Sequence, residues 1–533
     1  MDPLLERYNS DLDKVITNQF DLHAKMQRMT NFYKSSAFYR THPKEARDAS
    51  ANYMKILADK NIHYTSEVPE VKIIADPADR ENANVREKIL YGTYRACGMP
   101  LLQRKWARDG TLRSMAVAVT SYDFKQRIMR VERVDPRHCY WSYTNLDNNR
   151  IGVFYVVYPI SRAEANEKFK VDPTADNRAA LQFAETDHLS KINGEDWFTY
   201  VKRMDGETTA VWIGNKWVQK PQAHNLGDVP VDLFVPLPGE EAGSPGDFYL
   251  EPLVAPQAKL NDLEYRAQLI VRRNSNPIFW GRGIQARGFD DVKAAVESAD
   301  AGMVGLNRDG EIGVVQLTGI ELLDKRIEAV KNDMQRLAGY GAASFGENVG
   351  ANTSGDALGM YFMPTEKHVQ DQTLSLAAFY ESINAKILRG YEHYGRGSKK
   401  FTLTAFAPRS TVQASNGESR TVPVARFEQL VFDASVIDGR YVSKAIPKPV
   451  TPKNELEEKR LVVEAVNNKF LSRYTGYEIF GIESPEDERR RLEEEQLDPA
   501  LNPDNVNTLL QGGANAAQPS IPALPPAPAT VRA

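Results

Sequence analysis

Residues 318–356, TGIELLDKRIEAVKNDMQRLAGYGAASFGENVGANTSGD, decide how the rest of the chain is read. Thr318-x-x-Glu321 is a capping box, which satisfies free N–H groups at a helix start from both sides. Leu323, Ile327, Val330, Met334 and Leu337 follow at alternating four- and three-residue steps, so one apolar stripe runs along a charged rod. Gly339 and Gly341 end that helix. The loop from Tyr340 to Asp356 carries Gly346, Gly350 and Gly355, with Phe345 and Val349 as its only expected apolar anchors. A second helix is expected from Thr353-x-x-Asp356, bent at Pro364 and continuing through Leu376, Phe379, Ile383 and Ile387. A glycine-rich loop between two rods predicts a part that moves against something, not a packed core.

Upstream, a turn-rich hinge at residues 237–247 precedes an expected helix from Pro252 to Arg273, with Leu253, Leu260, Leu263, Ala267 and Ile270 on one side. Asn276-Pro277 closes it. Between the two rods lies an insert, Pro277–Leu317, predicted as strand (Ile278–Trp280), helix (Asp290–Ser298), strand (Met303–Leu306), turn (Asn307–Gly310) and strand (Ile312–Leu317). Some 40 residues bury little core alone, which points to support from neighbouring copies.

Residues 4–60 are predicted mostly helical, with Leu22, Met26, Met29 and Phe32 on one face and a break at His42-Pro43. From Tyr64 to Val235 the pattern is mixed. A helix is expected over Asn82–Ala96, then strands at Met115–Thr120, Ile128–Val134, Gly152–Tyr158, Trp197–Lys202, Thr209–Ile213 and Val231–Val235. Asp205-Gly206 and Gly214-Asn215 mark hairpin turns. Beyond Tyr394 the expectation is a strand at Phe401–Phe406, a polar loop at Ser415–Ser419 and a short helix over Pro423–Phe432. A stiff linker follows at Pro447, Pro449 and Pro452, then helices over Lys453–Phe470 and Pro485–Gln496. The segment from Asp498, rich in Pro, Ala, Asn and Gln, is predicted disordered. The class is α+β, without internal repeats.

The 533 residues, 42 % hydrophobic, suffice for three or four cores or one extended body. No apolar run approaches the roughly 20 residues of a membrane helix. Met1-Asp2-Pro3 lacks the basic and apolar regions of a secretory signal, and two cysteines, Cys97 and Cys139, fit a reducing compartment. A net charge of −4 argues against a surface that grips nucleic acid all over, though not against one that lets DNA pass.

Chemical motifs are scarce. There is no phosphate loop of the Gly-x-x-x-x-Gly-Lys type, and Gly281, Gly283 and Gly288 have the wrong spacing for a dinucleotide turn. His138-Cys139 is the only adjacent pair of soft ligands; a buried structural pair is the plainer expectation. Asp290-Asp291 fits an acidic first turn of a helix, and Asn352-Thr353-Ser354 has no glycosylation meaning without a secretory route. Arg489-Arg490-Arg491 sits among acidic residues and is expected to form a self-paired helix face. No enzymatic constellation is expected, and no cofactor or metal.

The order of parts (mixed body, helix, small α/β insert, helix, glycine loop, kinked helix, helical end) resembles the portal proteins of tailed bacteriophages. Local stretches carry the likeness further. Asn52-Tyr53-Met54-Lys55-Ile56-Leu57 with Asp59-Lys60 is similar to the family's early helix that leads into its wing. Val134-Asp135-Pro136-Arg137 is similar to a strand-end turn of the wing, and His224–Pro230 to the Leu-Gly-x-(Ile/Val)-Pro element before the first stem helix. Phe470–Thr475 with Gly481–Glu488 and Arg489–Glu495 resembles the family's Ser-x-x-Thr … Pro-x-x-Glu … Glu ending.

The resemblance implies a homo-oligomeric ring, usually of twelve subunits, at one capsid vertex, with a channel for double-stranded DNA bound without sequence specificity. It divides the chain into N-terminal helices and wing (1–250), stem helix (251–275), clip (276–318), second stem helix (319–338), tunnel loop (339–355), kinked helix with return to the wing (356–452), short crown (453–497) and disordered tail (498–533). Implied partners are the terminase large subunit, a head–tail connector, and the major capsid and scaffold proteins; no membrane is implied. Implied DNA-channel residues are Lys331, Arg336, Gly346, Glu347, Asn348 and Asn352, and implied clip residues are Arg282, Arg287 and Arg308. Inter-subunit ion pairs with Asp324, Glu328 or Glu297 are the alternative for these cations. Residues 251–338 hold 12 basic and 13 acidic side chains, and a neutral wall suits a conduit because a strongly basic one would hold DNA tightly. Another virion structural protein (capsid or baseplate), or a motor ATPase or nuclease, is the competing expectation.

Overall fold

The Asp2 carboxylate accepts the Leu4 N–H at 3.0 Å with Pro3 in the first turn, and so starts helix α1 (Pro3–Asn18). Then come α2 (Phe20–Tyr33), α3 (Tyr53–Thr65), β1 (Glu70–Ile73), α4 (Arg80–Cys97) and α5 (Met99–Arg113). The computed structural model describes residues 2–34, 51–74, 79–145, 150–173, 197–239, 246–275, 278–282, 311–315, 320–345, 355–396, 400–407, 410–413, 419–422, 426–447, 462–464 and 466–467. The expected break at His42-Pro43, the helix over Asp290–Ser298, the strand over Met303–Leu306 and nearly all of the chain beyond Ile446 lie outside these residues.

The expected Asn82–Ala96 helix is α4, but α5 is an addition. Gly98, at φ +66°, ends α4 in the left-handed region, and Pro100 then occupies the first turn of α5. The tripeptide Gly98-Met99-Pro100 therefore stops one helix and starts the next.

Strands β2 (Ala116–Asp123) and β3 (Ile128–Val134) lead to β4 (Cys139–Asn145), β5 (Arg150–Ser161), the short α6 (Arg162–Phe169), β6 (Trp197–Asp205), β7 (Thr208–Ile213), β8 (Lys216–Ala223) and β9 (Val231–Phe234). They build two antiparallel sheets, one in the order β3-β2-β9 and one a five-stranded meander from β4 to β8. Asp205-Gly206 and Gly214-Asn215 do connect β6 to β7 and β7 to β8. In β2 the period of two serves two cores at once. Val117 and Val119 face Met26, Met29, Met54, Leu57, Trp141 and Phe154, whereas Ala116 and Ala118 face Trp106, Phe234, Phe379 and Ile383. A third core seats Leu5, Leu12 and Ile16 of α1 on Tyr140, Tyr155, Val201 and Trp212 of the meander.

The rods are α7 (Val254–Ser275) and α8 (Ile320–Leu337), joined through the antiparallel pair β10 (Ile278–Arg282) and β11 (Glu311–Val315). A single helix, α9 (Gly355–Gly395), runs through Pro364 and buries Leu376, Phe379, Ile383 and Ile387 in the second core. Lys386 fixes it to β9, with its Nζ 2.7 Å from Asp232 and 2.8 Å from the Val231 carbonyl.

Where a helix is expected over Pro423–Phe432, the described residues Arg426–Phe432 form a strand. β12 (Phe401–Ala407) pairs in antiparallel register with β15 (Arg426–Phe432), and the hairpin β13 (Ser410–Gln413)–β14 (Ser419–Val422) lies between them in sequence. Leu430 and Phe432 turn inward while Gln429 and Val431 are exposed, so alternation governs a segment whose apolar residues also fit a helix. β16 (Ser443–Ile446) closes onto β1. The chain divides into a unit of residues 1–451 and a second of 452–533, in which the described residues 462–464 and 466–467 are helical. The class is α+β. Among the described residues no helix is long and apolar enough to cross a membrane.

Candidate functional site

The helix pair α7–α8 rests on the start of α3. The first N–H groups of a helix have no partner within it. Asn52 Oδ1 takes the Lys55 N–H at 3.0 Å, and Gln257 Oε1, from α7, takes the Met54 N–H at 2.9 Å. Gln257 Nε2 donates to Asn261 Oδ1 (2.7 Å) and to the Ala51 carbonyl (3.1 Å), while Glu264 accepts the Ala51 N–H at 3.1 Å. From α8, Gln335 donates to the Tyr53 hydroxyl at 2.8 Å. Both rods are thus clamped by polar side chains at the end nearest the body. Along the expected apolar stripe Val330 and Met334 are buried and Leu323 and Ile327 only partly so, whereas Leu337, the last of the five, is 55 % exposed.

Lys331 lies half-buried at this clamp, its Nζ 3.6 Å from Glu264 and 5.9 Å from the centre of the Tyr53 ring. Among the described residues its ion-pair partner is on α7 of the same chain. Arg336 is exposed and makes no ion pair among the described residues. The backbone of Arg282 ends β10 opposite Glu311. Arg287, Arg308, Glu297, Gly346, Glu347, Asn348 and Asn352 lie outside the described residues. Glu321, Asp324, Glu328 and Asp333 balance Lys325, Arg326, Lys331 and Arg336 along α8, so this rod carries no net charge.

The loop after α8 is not free from its first residue. The Gly339 N–H bonds to the Arg336 carbonyl (3.0 Å) and the Tyr340 N–H to the Gln335 carbonyl (2.9 Å), a Schellman ending with Gly339 at φ +78°. Tyr340 then enters the core, and its hydroxyl donates to Asn61 Oδ1 at 3.1 Å. Asn61 pairs amide to amide with Gln372 of α9 (3.0 and 3.2 Å) and donates to Thr111 at 2.9 Å. Gln372 in turn lies 3.0 Å from His368 Nε2, and the His368 ring covers Gly339. Burial raises the Tyr340 hydroxyl's pKa and lowers that of the His368 imidazole, which favours the uncharged form of each. A one-turn 3-10 helix, Ala342–Phe345, follows. Thr365 receives the Gly341 N–H at 3.3 Å and meets the Ser344 hydroxyl at 2.7 Å, and Lys60 sits 3.9 Å from the Phe345 ring centre.

Phe345 is therefore an anchor, as expected, whereas Val349 lies outside the described residues. The sequence expectation missed the stronger anchor, Tyr340, and its partners Asn61, Thr365, His368 and Gln372. Only the position of Tyr340, immediately after the terminating Gly339, signalled that it turns back onto its helix.

Elsewhere the ionisable groups form structural networks. Asp109 and Asp135 gather Arg113, Arg133 and Arg137 where α5 meets β3; Arg113 lies 3.1 Å from Asp135 and Arg137 also 3.1 Å. Burial works to raise the Asp135 carboxyl, but the Arg137 hydrogen bond and the charges of Arg113 and Arg137 outweigh it and hold its pKa well below the usual range. Asp135 also caps the 3-10 turn Pro136–His138 by accepting the Arg137 N–H at 3.0 Å. Cys139 is buried with its thiol 3.3 Å from the Asp135 carbonyl, and His138 is partly buried beside it. Among the described residues no three His, Cys, Asp or Glu side chains are placed to hold a metal. No family model matches this chain, and no curated protein matches its sequence significantly.

Proposed function

We propose that the chain is a portal subunit of a tailed bacteriophage: a ring-forming channel at one capsid vertex through which double-stranded DNA is packaged and ejected. The observation that carries this reading is the run from α7 to α9. Two rods bracket an antiparallel β insert and are clamped at one end to the body. A short pinned turn then leads through a glycine-rich stretch into a long helix containing Pro364. Each rod, at about 1.5 Å per residue, spans roughly 30 Å, enough for a channel wall. The partly exposed stripe of α8 suits packing against sister rods, and its balanced charge suits passage rather than capture of a polyanion.

In this reading the ring docks the terminase large subunit and later the head–tail connector, and contacts the capsid and scaffold proteins; ATP hydrolysis belongs to the separate motor. The test is negative-stain electron microscopy of the purified chain with its mass in solution. Rings with a central hole and a mass near a dozen chains are expected. Closed shells or plates without a channel favour a capsid or baseplate protein instead. A monomer that stays monomeric with scaffold and capsid proteins present overturns the proposal.

A further inference from the structure

We propose that the tip of the β2–β3 hairpin, around Phe124, is a docking site for a short acidic segment of a partner protein that carries one apolar side chain among its carboxylates. Phe124 is 74 % exposed, yet held in place. Its ring meets Tyr122 edge-on at 5.0 Å and Tyr394 at 5.6 Å, and those two tyrosines stack on each other at 4.1 Å. The loop beneath is equally fixed: Asp123 accepts the Lys125 and Gln126 N–H groups with its side chain and the Arg127 N–H with its carbonyl.

Cations surround this aromatic platform. Lys125 and Arg127 share the tip, Arg396 follows Tyr394 by two residues, and Lys400 precedes Phe401, whose ring lies 6.5 Å from Tyr122. All four are exposed and form no ion pair among the described residues. Of the nearby carboxylates, Asp123 is paired with Arg130 at 3.7 Å, and Asp433, which accepts the Ser435 N–H, offsets Lys400 only. The patch is therefore positive around a single apolar knob.

Its chemistry favours an acidic peptide over nucleic acid. Single-stranded nucleic acid is bound by several open aromatic faces along a basic groove. Here Tyr122 and Tyr394 cover each other's faces and only Phe124 is open. One knob with four cations matches one apolar side chain flanked by carboxylates.

The probe is the fluorescein-labelled peptide EDELEDE, titrated with the full chain and followed by anisotropy. Saturable binding is expected, weakening with salt. Phe124→Ser, Arg127→Glu, or replacing the peptide's leucine by serine should each weaken it on the order of tenfold. Lys125→Glu, at an exposed position with no cation–π contact among the described residues, gives the same loss. The proposal is overturned by absent saturation, by affinity unchanged from the unsubstituted chain in all three protein variants, or by a dT oligonucleotide that binds more tightly through the same residues. None of these outcomes depends on whether the chain forms rings.

Discussion

Gly339→Ala should loosen the root of the glycine loop by an amount that depends on one neighbour. At φ +78°, a residue with a Cβ costs about 1–2 kcal/mol. That Cβ would also lie 2.5 Å from Cγ and 2.7 Å from Nδ1 of His368. The ring cannot swing clear freely, because Gln372 holds Nε2 at 3.0 Å and the Tyr249 and Tyr340 rings flank it at 5.8 and 5.9 Å. Overpacking of this kind costs about 1–3 kcal/mol, so the sum is about 3 kcal/mol. In a His368→Ala background the clash is gone and only the backbone cost, about 1 kcal/mol, remains, a coupling of about 2 kcal/mol. Hydrogen exchange of the Tyr340 and Gly341 amides reads the local opening, since their partners are the Gln335 carbonyl and the Thr365 hydroxyl. Equal penalties in the two backgrounds would refute the claim that His368 pins the loop.

On the proposed portal reading, reversing charge at Lys331 and Arg336 should leave rings intact while DNA packaging falls; unchanged packaging removes both from the lumen. Shortening residues 346–352 should spare ring assembly and impair DNA packaging or retention, and loss of assembly would make the segment structural. Asp109→Ala leaves Asp135 as the one carboxylate beside Arg113 and Arg133 in this cluster and should cost about 3 kcal/mol, measured by denaturant unfolding; a loss below about 1 would mean that Asp135 and water compensate. His23 stacks on Tyr140 at 4.3 Å, and burial lowers its pKa from 6.5 to about 4. The unfolded chain thus binds the extra proton between those values, so stability is full above pH 6.5 and falls as pH drops towards 4, by up to about 3 kcal/mol. A His23→Asn variant that keeps the same slope between pH 6.5 and 4 would assign the loss to another group.

The rods were legible in the sequence because a stripe at steps of four and three, a terminating glycine and an Asn–Pro stop each constrain the backbone locally. Hairpins with Asp205-Gly206 and Gly214-Asn215 were legible for the same reason. The misses have tertiary causes. Residues 426–432 satisfy either period, and only the pairing with Phe401–Ala407 decides for strand. Cys139–Asn145 is a strand because β5 lies beside it, and its run of aromatic and polar residues has no period that shows this alone. The loop root depends on Asn61, Thr111 and Gln372, which are far apart in sequence and meet only after the cores form. Local patterns show where a chain turns; they do not show which distant amide receives it.

The β1–β16 pairing sets a timing for synthesis. Val71 is buried against a strand whose residues, 443–446, leave the ribosome long after β1 does. At about 5–20 residues per second the wait is some tens of seconds. Meanwhile α9, which supplies much of the second core, is also still to come. Until then Trp106, Ile89 and Phe234 present an open apolar surface to the cytosol of whatever cell makes the chain. Nascent chains should therefore engage holdase chaperones strongly up to about residue 446 and release them as that strand docks. Chains cut just before Ser443 should stay bound.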